Sequence, residues 1–348
     1  MPIAVHAMTP ARAAAWDDFV AVHPGGSFFH LSAWAGVIEK AFGHKAHYLF
    51  TERDGAITGV LPLSHLKSLF GKSLVSTPFC VYGGPLAVDA ESAAALSAHA
   101  ISLMGQTGAK VVEFRERDPG LGDGASADVW QTRSDLYVTF RKAMTADHDA
   151  NMKAIPRKQR AMVRKGIQNG LTATTERSID PLYGIYAESV RNLGTPVYSR
   201  RYFQILLDAF GPAADVVTIR HEGMPVASVL NFYFRDEVLP YYGGGTRQAR
   251  QVAANDFMYW SVMRNAVDRG CRLFDFGRSK VGTGSYDFKR NWGFTPEPLH
   301  YRFHLGPGAK VPDINPLNPK FRLFIAAWQR LPLPVANLIG PHIVRGIG

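Results

Sequence analysis

The chain has 348 residues, enough for two domains on the usual scale of about 150 residues each. A hydrophobic fraction of 46% and a charged fraction of 20%, with 33 Gly and 22 Pro, describe a globular protein and exclude a disordered or fibrous one. The formal charge of +10 favours anionic partners such as nucleic acid, phosphorylated sugar carriers or an acidic membrane surface, and does not choose among them.

Cys80 and Cys271 each lie in an apolar setting, so the sequence predicts neither a disulfide framework nor a metal site, and a reducing compartment fits. The first residues lack a basic region followed by a long apolar core, and no run reaches the roughly 18 apolar residues of a spanning helix. The expectation is a cytoplasmic protein.

In the first half, DGAITGVLPL from Asp54 to Leu63 reads as a hairpin turn entering a strand, and after a second strand the chain reaches VYGGPL at 81–86. Leu96, Ala100, Leu103 and Met104 then recur at helical spacing behind an Asp89 cap, Gly108 stops the helix, and AKVVEF reads as a strand.

The middle segment, 151–170, predicts a helix with Pro156 in its first turn and Gly170 just past its end. Arg157, Arg160 and Arg164 fall on one face with no acid to neutralise them, and Met162, Val163 and Ile167 line another. That cationic face is either solvated or holds a phosphate or polyanion. Leu182, Ile185, Tyr186, Ser189, Val190 and Leu193 predict a further helix packed on the core, and Arg200 and Arg201 begin the next.

The second half repeats the order of the first. EGMPVASVLNFYF at 222–234 is followed by VLPYYGGG at 238–245, then a helical pattern of Tyr259, Val262, Met263, Ala266 and Val267 after Asn255, then Gly270 and the strand CRLFDF. Turn, strand, strand, Gly-Gly, helix, Gly and strand occur twice, which suggests duplication of one α/β unit.

The richest stretch for chemistry is 271–294. Leu273, Phe274 and Phe276 alternate around Asp275, Gly277 ends the strand, and Arg278, Ser279 and Lys280 emerge into a Gly-rich loop. Tyr286, Phe288, Lys289, Arg290 and Trp292 follow in that loop. Cations among aromatics suit a substrate that carries or develops negative charge, although the three aromatics can equally be core. The last forty or so residues combine a Pro-rich linker with Phe321, Leu323, Phe324 and Trp328 among Lys320, Arg322, Arg330 and Arg345, a pattern that suits either an anionic bilayer surface or packing on the body.

Together, the FDFGRS strand, the Gly loop, the FKRNWG motif and the upstream IPRKQRAMVRKGI helix resemble the FemAB-like transferases, particularly the branch associated with PEP-CTERM and exopolysaccharide systems. The resemblance spans roughly residues 20–305. It implies an α/β fold of two tandem GNAT-like domains, each a mixed twisted sheet flanked by helices: residues 1–145, residues 146–308 with the active site, and a linker and amphipathic tail at 309–348. It also implies transfer of an aminoacyl group from aminoacyl-tRNA to an amine of a cell-wall precursor, with Phe288 and Lys289 at the reaction centre. The family's first-domain cation follows an aromatic; here Trp34 and Lys40 stand in that order at a different spacing.

An ammonium at Lys289 suits the oxyanion that forms when an amine attacks an ester or thioester. Arg278 is a second cation for that oxygen or for phosphate, Asp275 can orient a cation, accept the amine proton or form a structural pair, and Ser279 and Tyr286 complete the candidate substrate site with Arg157, Arg160 and Arg164. No permanently bound cofactor or metal is expected; the donor is aminoacyl-tRNA or acyl-CoA. The partners expected are an anionic glycan or lipid-linked envelope precursor, tRNA, and an anionic membrane surface touched from the cytoplasmic side. The alternatives are an acyl-CoA-dependent N-acetyltransferase, against which GGGTRQARQ lacks the inner glycines of a pyrophosphate loop, and a non-catalytic binder of polysaccharide or carrier lipid.

Overall fold

The computed structural model describes residues 3–68, 71–118, 129–312 and 319–347. It resolves into two compact units, Met1–Tyr137 with Pro298–Ile314 and Arg345–Gly348, and Val138–Glu297 with Asn315–Val344.

In the first unit, β1 (Ala4–Ala7), α1 (Ala13–Val22) and α2 (Ala33–Phe42) precede β2 (Lys45–Arg53), β3 (Ala56–Ser68) and β4 (Gly71–Ser76). A short β5 (Leu86–Ala87), α3 (Ala90–Thr107), β6 (Val111–Glu116) and β7 (Gln131–Arg133) follow. Asp54 and Gly55 both take positive φ, 51° and 82°, as a tight hairpin requires, and join β2 to β3. Asp89 caps α3 by accepting the Ser92 amide, and Gly108 ends it at φ +69°, both as the sequence predicts.

The second unit opens with β8 (Val138–Ala143), α4 (His148–Ala154), α5 (Arg157–Gln168), β9 (Thr172–Glu176), α6 (Asp180–Leu193) and α7 (Arg200–Phe210). It continues through β10 (Ala214–His221), β11 (Met224–Phe234), β12 (Glu237–Gly245), α8 (Arg247–Gln251), α9 (Ala254–Asp268), β13 (Leu273–Asp275), α10 (Gly284–Asn291) and β14 (Pro296–Pro298). Its sheet runs β14-β8-β13-β12-β11-β10-β9. β15 (His300–Leu305) then pairs with β6 and β7 in the first sheet, whose order is β1-β2-β3-β4-β6-β15-β7 with β5 on β3.

The repeat is visible strand for strand. Glu222 and Gly223, at φ 51° and 79°, form the second hairpin turn; β4 pairs in parallel with β6 and β12 with β13, each pair bridged by a helix, α3 or α9. The fold is thus the mixed α/β tandem that the sequence implies. Two details differ. VYGGP lies in the loop that leads into β5, whereas the Gly run of the second unit stays within β12. Asn255 lies inside α9; the residue before the helix is Ala253, held at φ +63°.

The buried row of α5 is Gln159, Val163 and Gly166, while Ile167 is 51% exposed. A Cβ on Gly166 would stand 2.8 Å from that of Phe257, so the helix turns its small residue toward α9. Part of the Pro-rich linker, 313–318, lies outside the described residues. α11 (Pro319–Trp328) and α12 (Leu333–Val344) pack on the second unit: Ile325 meets Gly194, Gly340 meets Val197, and Trp328, one of the aromatics that suggested a bilayer surface, is 3% exposed and faces the protein. Leu323 and Leu338, in contrast, are 84% and 71% exposed.

Candidate active site of the second unit

The parallel pairing of β12 and β13 covers only Glu237 with Leu273 and Val238 with Phe274, while β12 runs on to Gly245. The free end of β12 contributes Gly244 and Gly245 to a cavity of about 450 Å³ whose other walls come from α6, α8, α9 and α10. Only glycine fits there. A Cβ on Gly244 would lie 2.6 Å from the Ser189 Cβ, and one on Gly245 would lie 2.4 Å from the Asn255 Oδ1. The left-handed Ala253, which costs a non-Gly residue about 1–2 kcal/mol, starts α9 so that Asn255, Met258 and Tyr259 line the same space.

Gly277 takes φ +66° two residues past the end of β13, and Gly282 takes φ +80°. The residues expected in a loop then form α10, because the Thr283 hydroxyl caps it by accepting the Tyr286 amide at 3.4 Å. The helix brings Ser285, Phe288 and Lys289 to the cavity. Phe288 packs on Tyr259 at 5.5 Å, and Trp292 is fully buried, donating from Nε1 to Asp256 at 2.9 Å.

Lys289 is half-buried and lines the cavity, and its Nζ donates to the carbonyls of Gly277 and Arg278, both at 3.0 Å. Two of its three N–H donors are thereby engaged. Desolvation lowers its pKa to about 7; the Asp275 charge opposes that shift and the Arg278 charge adds to it. The ammonium expected at this position is therefore balanced against its neutral form near neutral pH.

Asp275 is 1% exposed and lies outside the cavity lining. Its Oδ1 accepts the Gly277 amide at 2.7 Å and its Oδ2 pairs with Arg141 Nε at 3.4 Å. It holds the turn whose carbonyls anchor Lys289 and reaches the ammonium through charge. Ser279 is buried and pairs with Val138 through two backbone hydrogen bonds, so it prolongs the pairing of this segment with β8, and Arg278 is half-buried beside it. Tyr286 packs edge-on against Phe140 at 5.5 Å, outside the cavity lining.

The remaining sequence candidates stand elsewhere. Arg157 and Arg164 are exposed on α5, and Arg160 donates to the Lys153 carbonyl at 2.9 Å; none lines the cavity. Arg200 pairs with Asp180, and with Arg201 and Arg177 it lines a separate depression. Trp34 is fully buried in the first unit, donating to the Phe28 carbonyl at 3.0 Å and packing on Phe28 and Phe29, while Lys40 is exposed. Asn255, Tyr259, Ser285 and Arg250 line the cavity without having been singled out as site residues; the signal for them was the triple glycine at 243–245, which marks a strand end in contact with its neighbours. Among the described residues, no group of three or more His, Cys, Asp or Glu is placed to hold a metal ion.

A mixed sheet whose parallel pair is bridged by a helix, with a cavity at the free strand end, defines a GNAT-type α/β unit, and residues 151–290 match the family described as an acetyltransferase (GNAT) domain. The chain thus carries an acyltransferase-type domain. Over nearly its whole length it is similar to FemX, at 17% identity and a TM-score of 0.70, covering 87% of this chain and 97% of that one. It also shares its fold with the C-terminal domain of a putative lysylphosphatidylglycerol synthetase from Agrobacterium fabrum, at 15% identity and TM-score 0.58 over 85% of this chain and 92% of that one. A tandem GNAT protein of clavulanic acid biosynthesis matches at 14% identity and TM-score 0.55 over 88% and 100%. A comparison with curated proteins gives no match.

Proposed function

We propose that the chain is a FemAB-like acyltransferase that moves an aminoacyl or acyl group to an amine of a cell-envelope glycan or lipid-linked precursor, with the second unit's cavity as its active site. The observation that carries this reading is Lys289: anchored by two carbonyls, it has one N–H left and stands beside Phe288 on the cavity wall. As the amine attacks the donor carbonyl, the carbonyl oxygen gains charge, and the protonated Lys289 donates its remaining N–H to it. Collapse of the tetrahedral intermediate breaks the bond to the donor's ester oxygen or thioester sulfur, which departs as the alcohol or thiol with the proton that the attacking nitrogen gives up.

Aminoacyl-tRNA is the donor favoured by the likeness to FemX, together with the FKRNWG resemblance, which also supports an exopolysaccharide-related acceptor. Acyl-CoA is the second reading, favoured by Arg247 and Arg250 beside the Gly244–Gly245 strand end, a cationic setting for a pyrophosphate. Incubation with labelled aminoacyl-tRNA and acyl-CoA separates them: covalent transfer or donor hydrolysis is expected with one, and inertness toward both would leave only a binding module.

No helix among the described residues is long and apolar enough to cross a membrane. We further propose peripheral contact with an anionic bilayer on its cytoplasmic side, through the outer face of α11 and α12. Leu323, Phe324, Leu338 and Ile339 are exposed there, and the segment 319–344 contains Lys320, Arg322 and Arg330 and no acid.

A further inference from the structure

The first unit has a cavity of its own, of about 480 Å³, which the transferase reading does not use. Its walls come from the turn after α1, the loop that carries VYGGPL, the end of β6 and Arg302 of β15. The wall is fixed by two hydrogen-bonded histidines. His30 is buried, with Nε2 donating to the Gly84 carbonyl at 3.0 Å and Nδ1 against the Ser27 hydroxyl at 2.8 Å, and burial pushes its pKa down to about 3. His23 Nε2 donates to the Ala87 carbonyl at 3.0 Å while its Nδ1 accepts the Gly25 amide at 3.1 Å. A Cβ on Gly84 would stand 2.4 Å from Glu116 Cγ, so the Gly-Gly loop lies flat on the end of β6.

The charged side chains of this cavity differ in how they are matched. Arg302 forks onto Glu116 at 2.6 and 3.0 Å, and Arg115 binds Glu113 at 2.8 Å and the Cys80 carbonyl at 3.0 Å. Asp118 is exposed on the rim. Arg117 is different: its Nη1 is buried and, among the described residues, has no hydrogen-bond partner, and its guanidinium stands over the Tyr82 ring at 5.7 Å. A desolvated guanidinium N–H with no acceptor, on the wall of a cavity, is a donor prepared for a ligand. Around it Tyr82, Pro85, Leu86 and Pro24 give an apolar surface.

We propose that the first unit binds a small molecule by seating its carboxylate or phosphate on Arg117 and laying its apolar body against Tyr82, Pro85 and Leu86. This site goes beyond the transferase reading and does not rest on it. The test is calorimetric titration of the full chain with benzoate, phenyl phosphate and the neutral isostere benzamide. One of the two anions should bind saturably, at least tenfold more tightly than benzamide, and the tighter of them identifies the class of anion. Arg117→Gln should weaken that binding at least tenfold without lowering the Tm of the free protein, Arg117→Lys should retain part of it, and Lys289→Met should leave it unchanged. Absence of saturable binding by either anion, equal binding by Arg117→Gln, or a clear loss of Tm in that variant, which would make Arg117 a structural cation, would each overturn the proposal.

Discussion

On the proposed mechanism, Lys289→Met removes the N–H that donates to the developing oxyanion and replaces the lysine with an unbranched side chain of similar reach. Loss of one such donor costs about 3–4 kcal/mol, or roughly 10²–10³ in kcat. The pKa of about 7 adds a condition. Only the protonated lysine donates, so the deficit of the variant should be full near pH 6 and should shrink about tenfold by pH 8, where roughly a tenth of the wild-type lysines keep their proton. Stability has the opposite trend. The folded pKa lies below the ordinary 10.5, so between about pH 7 and 10.5 the unfolded chain binds more protons and wild-type stability rises with pH. The full shift corresponds to about 5 kcal/mol at about 1.4 kcal/mol per unit; since Lys289 keeps part of its surface on the cavity, water screens it, and about 2 kcal/mol is the expected gain. Lys289→Met should lose that slope. The assays are single-turnover transfer at pH 6, 7 and 8 and urea unfolding at pH 7 and 9.5. Undiminished turnover would refute the mechanism, and a wild-type rate that climbs through pH 7 in step with lysine deprotonation would make Lys289 a base instead.

Asp275→Asn should destabilise the fold by about 1–3 kcal/mol in urea unfolding, since it removes one of the two carboxylates paired with Arg141 and leaves the Glu237 pair in place, and should move the pH midpoint of any surviving activity downward, because the Asp275 charge supports the Lys289 proton. An unchanged midpoint would show that the charge does not reach Lys289. Ala253→Gly should raise stability by about 1 kcal/mol, seen as a Tm higher by a few degrees, because glycine takes φ +63° without strain; a lower Tm would mean that the Ala253 methyl packing outweighs it. Leu323→Glu and Leu338→Glu should each weaken co-sedimentation with anionic liposomes severalfold while leaving neutral liposomes unbound, and equal sedimentation of wild type and variants would show that this face is merely solvated.

Local chemistry explains which features the sequence made legible. Asp54-Gly55 and Glu222-Gly223 announce their hairpins because the turn demands positive φ at both positions, and Gly108 and Gly270 end helices for the same reason. Partners far apart in sequence leave no such mark. Nothing in HYRFHL says that it will pair with Val111–Glu116 of the first unit, and nothing around Trp34 or Trp328 distinguishes an aromatic that binds from one that fills a core. The helix α10 was hidden by its own first turn, where glycines at 282 and 284 resemble a loop and only the Thr283 cap marks a start. Cationic faces are legible in sequence without their use being so: Arg157, Arg160 and Arg164 are evident there, and the helix turns Gln159, Val163 and Gly166 inward and leaves Arg157 and Arg164 exposed to solvent.

The two halves keep one scaffold and differ where chemistry is possible. In each, a hairpin feeds a strand that pairs in parallel with the strand after the helix, and that pairing is short: Ser73–Val75 on Val111–Glu113 in the first unit, Glu237–Val238 on Leu273–Phe274 in the second. A short parallel pair leaves open backbone at its end, which must be covered or used. In the first unit the chain departs after β4, and the Gly-Gly loop folds back so that the Gly83 and Gly84 amides bond the Arg115 carbonyl at 3.0 and 2.9 Å. In the second, three glycines carry β12 onward and the opening is met by α10, which brings in a lysine. The same gap therefore acquires different polar equipment, a guanidinium with one buried N–H that has no hydrogen-bond partner among the described residues in one unit and an ammonium whose pKa burial lowers in the other, and the difference traces to whether the glycines leave the strand or extend it.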